Sequence, residues 1–64
     1  QRGMMAELFD ALWKQGADAL DPSFTEDWKA APDDAARRRV TVDQLASYTD
    51  ARAIARHAEL TGRL

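Results

Sequence analysis

There is no cysteine in the 64 residues, which excludes a disulfide staple and a thiolate metal site and is compatible with the cytosol. The single histidine, His57, has Glu59 nearby and no other recognisable ligand. Zinc and di-metal sites need several converging His, Cys or carboxylate ligands, so His57 reads as a surface or packing residue. Glycine occurs three times, at Gly3, Gly16 and Gly62, too sparsely for a phosphate-cradling loop. Ser23 and Ser47 lack identifiable His and Asp partners, so a nucleophilic triad has no support. No apolar run approaches the ~20 residues needed to span a bilayer. No signal peptide is visible, because Gln1-Arg2-Gly3 leads straight into a helical pattern containing Glu7 and Asp10. β-Branched residues are few and no run alternates with period two, so no strand is expected.

What is present is one small helical domain, with a core worth typically ~3–5 kcal/mol of net stability. The formal net charge is −2, which argues against a general nucleic-acid binder. The charge is uneven. Through Pro32 three basic residues face six acidic ones, whereas from Asp33 onward six arginines face five acids. Arg37, Arg38 and Arg39 form a basic cluster that reads most simply as a solvated helix face.

The spacing predicts an all-α fold: a small bundle of three main helices, at about 2–15, 33–47 and 50–61, plus a short helix near 25–31. In the first, Met5, Leu8, Phe9, Leu12 and Trp13 fall at i, i+3, i+4, i+7 and i+8, a wide apolar stripe for the core. Gly16 is its expected C-cap. Ala17 to Ser23 reads as a connector, with Asp21-Pro22 disfavouring helix at its centre. In the short helix Thr25 is the expected cap and Trp28 an anchor that should meet Trp13. Pro32 closes that segment, and Asp33 and Asp34 suit the next N-terminus.

The third and fourth helices meet at Tyr48-Thr49-Asp50. Thr49 is a good N-cap type. Asp50 then occupies the first helical position, where its charge meets the positive end of the helix dipole. Behind it Ala51, Ile54, Ala55 and Ala58 recur with amphipathic spacing, and Gly62 is the expected terminator. The third helix has two apolar stripes: Ala35, Val42, Leu45, Ala46, and nearly opposite them Ala36, Val40, Asp43, Ser47. A helix with two such faces usually has two neighbours. The second stripe is therefore expected to face something outside this chain.

The run FTEDWKAAPDDAARRRVTVDQLASYTDARAIARHAEL resembles the C-terminal part of bacterial dGTP triphosphohydrolase-like proteins of the actinobacterial type, in the HD-domain phosphohydrolase superfamily. The residues that carry the resemblance are Asp43, Leu45, Ala46, Thr49, Asp50 and Ala53, and DQLASYTD is its most specific stretch. MMAELFDALW resembles the same family's preceding helix. Tyr48 departs from the pattern, standing where Met or Leu is usual. The resemblance implies a cytoplasmic parent enzyme that hydrolyses a deoxynucleoside triphosphate to deoxynucleoside and tripolyphosphate. Its divalent metal would be held by histidines and aspartates and would activate water. The name-giving His-Asp pair is absent here, since His57 is followed by Ala58. The ligands are therefore expected in a preceding catalytic domain, with no cofactor in this piece. The chain also lacks an initiating Met and is expected to be the C-terminal fragment of a longer protein. Its implied role is to pack on the catalytic HD domain or to join subunits of a homo-oligomer. Asp43, Tyr48, Thr49 and Asp50 are the docking or helix-joint residues, with Asp43 needing a partner once buried.

Two other classes fit the pattern. VTVDQLASYTDARAIARHAEL reads as a DNA-binding helix-turn-helix with Asp50 to Leu60 as recognition helix, although Asp50 and Glu59 sit beside Arg52 and Arg56 and the joint has no glycine. A small module that dimerises through an exposed stripe is the third reading.

Overall fold

The computed structural model describes residues 3–62. They form four α-helices, α1 (Met4–Gln15), α2 (Pro22–Ala30), α3 (Asp34–Ala46) and α4 (Asp50–Thr61), with a 3-10 turn at Gly16–Ala19 between the first two. There is no strand among the described residues. The expected start of the first helix at residue 2 lies outside them.

α1 is the central element, packing against both α3 and α4, while α2 packs on α3 and on the 3-10 turn. Leu8 and Leu12, one turn apart on α1, are wholly buried. Ala19, Leu20, Val40 and Ala53 close around them, with Phe24, Trp28 and Tyr48 packed at the margin. Met5, expected in the same stripe, is 44% exposed. Trp13 and Trp28 meet edge to face at 5.3 Å, and Phe9 stacks beside Trp13 at 6.3 Å. Arg38 from α3 lies over the Trp13 ring at 5.4 Å, so one member of the basic cluster covers an aromatic rather than only meeting solvent.

The helix ends follow local chemistry. Gly16 terminates α1 at φ 72, ψ −147, and Gly62 terminates α4 in the left-handed region at φ 71. Asp33 caps α3 by accepting from the Ala36 N–H at 2.9 Å. Thr49 caps α4 by accepting from the Arg52 N–H at 3.2 Å.

α2 differs from expectation. It begins at Pro22, three residues before the expected start. Proline suits a first helical position, where its missing N–H would have no intrahelical partner. Thr25 therefore lies inside the helix and is not its cap. Its hydroxyl lies 2.9 Å from the Ala17 carbonyl and 3.1 Å from that of Leu20, tying α2 back to the 3-10 turn.

Candidate functional site

The densest polar cluster lies where the start of α2, the end of α3 and the start of α4 converge. Asp21 stands at the N-cap position of α2 but makes no side-chain capping bond there. Its carboxylate accepts instead from Arg52, at 3.0 Å from Nη1 and 2.7 Å from Nη2. This two-pronged pairing is the geometry guanidinium favours. Gln44, wholly buried on α3, completes the cluster. Its Oε1 accepts from the Asp21 backbone N–H at 2.7 Å. Its Nε2 lies 3.3 Å from Asp21 Oδ2 and 3.2 Å from Ser47 Oγ. The hydrogen bond from Arg52, helped by Gln44 and by the positive charges of Arg52 and Arg56, holds the Asp21 carboxyl below its ordinary range, against the opposing effect of burial.

One turn along α4, Arg56 donates to the Ala19 carbonyl at 2.7 Å and to Glu59 at 3.1 Å. His57 meets Glu7 of α1, Nε2 to Oε1, at 2.7 Å. Its side chain is only 14% exposed, so it is part of the α1–α4 interface. The inward side of α4 is thus mixed, with Ala53 buried and Leu60 packed on the core beside these polar contacts. Sequence reasoning missed this network, whose partners on different helices lie 23 to 50 positions apart.

The consequence for the apolar stripes is an inversion. Ala51, Ile54 and Ala55, read from spacing as the amphipathic stripe of α4, are exposed, and Ala58 is half-buried. Ile54 is 59% exposed. On α3 it is Val40, Thr41 and Gln44 that turn inward. Ala35, Val42 and Ala46 of the stripe read as core-facing are exposed, and only Leu45 packs on the core. Val40, assigned to the outward stripe, is buried in the domain's own core. The physical reason is that periodicity finds a stripe without saying which neighbour it meets.

The four named site residues fall in two places. Tyr48, Thr49 and Asp50 form the α3–α4 joint. Asp43 is exposed, in a shallow groove with Ala35, Arg38, Arg39 and Val42. Thr49 and Asp50 serve as N-cap and first residue of α4. Tyr48 lies with its ring 5.0 Å from the Arg52 guanidinium, and its hydroxyl is buried with no hydrogen-bond partner among the described residues. Among the described residues no group of three or more His, Cys, Asp or Glu converges as a metal site, and no helix is long and apolar enough to cross a membrane.

The geometry disfavours a DNA-reading α4. Its two arginines are committed to Asp21, Ala19 and Glu59, and its outward face presents Ala51, Ile54 and Ala55 instead of cations for phosphate.

Comparison with known proteins gives one family: the model of the phosphohydrolase-associated domain matches residues 1–59. A deoxyguanosinetriphosphate triphosphohydrolase-like protein of Streptomyces coelicolor is 55% identical over 97% of this chain and 15% of its own length. Proteins of the same description from Bifidobacterium longum and Corynebacterium efficiens are 38% and 42% identical, over 89% and 81% of this chain and 13% and 12% of theirs. The chain therefore spans a small part of the curated relatives it matches. No solved structure matches it significantly.

Proposed function

Given that the chain belongs to the phosphohydrolase-associated domain family, we propose that it is a non-catalytic helical region of a deoxynucleoside triphosphate triphosphohydrolase. In this reading it is the C-terminal part of a longer cytoplasmic polypeptide and packs on that polypeptide's catalytic HD domain or joins its subunits. The observation that carries the proposal is the 55% identity along nearly the whole chain to a deoxyguanosinetriphosphate triphosphohydrolase-like protein. The internal chemistry agrees with an accessory role. The Asp21–Gln44–Arg52 cluster has its polar groups spent on one another, which leaves it no free acid, base or nucleophile. The divalent metal and its ligands belong to the catalytic domain.

The test is excision of these residues from the full-length parent, with deoxynucleoside release and sedimentation both measured. The expected result is a large loss of activity, a smaller assembly, or both. Unchanged activity and unchanged mass would overturn the proposal. Within it Asp43 is a docking residue, so Asp43→Ala should lower full-length activity while leaving the stability of the 64-residue chain nearly unchanged, because the carboxylate is exposed there. Equal small effects on both would remove Asp43 from the docking surface.

A further inference from the structure

We propose that the outward face of α4, centred on Ile54 with Ala51, Ala55 and Ala58 around it, is the seat of an apolar helix from the catalytic body of the same longer polypeptide. This rests on the accessory reading above and adds a face of α4 to the docking residue Asp43 on α3.

The first observation is the inversion. A surface helix ordinarily turns its apolar stripe to the core and its charges to water. α4 departs from this in part: Ala53 and Leu60 pack on the core, but Ala51, Ile54 and Ala55 are exposed. Arg56 and His57 point inward and are held there by Ala19 and Glu7, while Ile54 is the most exposed large hydrophobic among the described residues. The second observation is that the long cations of α4 do not screen the stripe. Arg52 is drawn to Asp21 and Arg56 to Ala19 and Glu59. The alanines around Ile54 are short, so a facing helix can approach closely, toward the lower end of the usual ~8–10 Å interaxial range. The stripe itself is uncharged, with exposed Asp50 and Glu59 at its edges, so it calls for an apolar partner face, since a facing unpaired ion would lose its water uncompensated.

Size decides between a second copy and the rest of the same polypeptide. α4 has 12 residues, so it is about 18 Å long and about 10 Å across. Such a footprint is a small fraction of the about 800 Å² per partner that a stable interface between separate chains buries. A tethered partner does not need that area, because linkage raises its effective concentration to about the millimolar range. The Streptomyces relative supplies the tether: this chain covers 15% of its length, leaving most of that polypeptide to provide the facing helix.

The experiment uses the full-length parent with a photoreactive benzoylphenylalanine replacing Ile54 in one variant and Val42 in another, and cross-linked peptides identified by mass. Cross-linking from position 54 to the body of the same chain is the expected result. In parallel, the substitution Ile54→Asp should make the α4 amides exchange with deuterium at least about tenfold faster than in the unsubstituted parent, the factor that ~1.4 kcal/mol of lost docking implies. A covalent dimer from position 54 would overturn the proposal in favour of a second copy. A product from position 42 alone, with α4 exchange unchanged by Ile54→Asp, would overturn this face and leave the accessory reading standing. No product from either position, with unchanged exchange, would overturn this face, and the excision experiment alone decides the accessory reading.

Discussion

Asp21 and Arg52, 31 positions apart, are joined by two hydrogen bonds of 2.7 and 3.0 Å that lock the first residue of the α2 turn to the first turn of α4. The pair sits above a wholly buried glutamine, and between them these three side chains connect α2, α3 and α4.

The pairing sets a pH dependence. Asp21 is held below its ordinary carboxyl range in the folded chain, chiefly by Arg52. Its contribution to stability is therefore fully present above the ordinary carboxyl range and is lost as the pH falls through the lowered folded value. Urea midpoints measured from neutral to acid pH should fall, and Asp21→Asn should be less stable at neutral pH with a flatter acid limb. A limb unchanged by Asp21→Asn would remove the pair as the cause.

Gln44→Leu tests the buried hub. The substitution keeps most of the volume but leaves the Asp21 backbone N–H and one face of its carboxylate without their partners. An orphaned buried donor costs about 1–3 kcal/mol. A loss of that size in chemical unfolding is expected, well above what a similar change at exposed Gln15 should cause.

Tyr48→Phe should behave oppositely. The hydroxyl is buried and has no partner, so deleting it removes a desolvation cost and leaves the ring under Arg52. The 64-residue chain should gain up to about 1 kcal/mol. A loss of stability in chemical unfolding would mean that the hydroxyl is hydrogen-bonded in solution.

Gly16→Ala should destabilise by about 1–3 kcal/mol, because φ 72 with ψ −147 lies in a region only glycine visits readily. Space is not the obstacle: an added Cβ would sit 3.5 Å from the Trp28 ring, an ordinary contact. Calorimetry of the variant would show a lowered melting temperature; no change would mean the turn relaxes freely.

The helices were legible because their signals are local. Thr49 and Asp33 announce N-termini, Gly16 and Gly62 announce ends, and Leu8 and Leu12 mark the core side of α1. The facing of α3 and α4 was not legible. Val40 and Val42 are equally apolar in the sequence, yet one is 8% and the other 50% exposed. What separates them is the placement of α1 and α2, which no window along α3 contains. The polar cluster was hidden for a similar reason. Asp21 looks like a connector residue beside a proline, and only the folded chain brings Arg52 to it. The resemblance carried by DQLASYTD identified the family where the physics of single residues identified only a helix joint.

The Ala19 carbonyl, Asp21 and Glu7 each have a long-range partner in α4. During synthesis the first two helices can therefore form early and pack on α3, but their contacts to α4 are made only afterwards. A ribosome stalled before Arg52 would hold a loosely collapsed nascent chain, vulnerable to proteases, and release of α4 would close it in one late step.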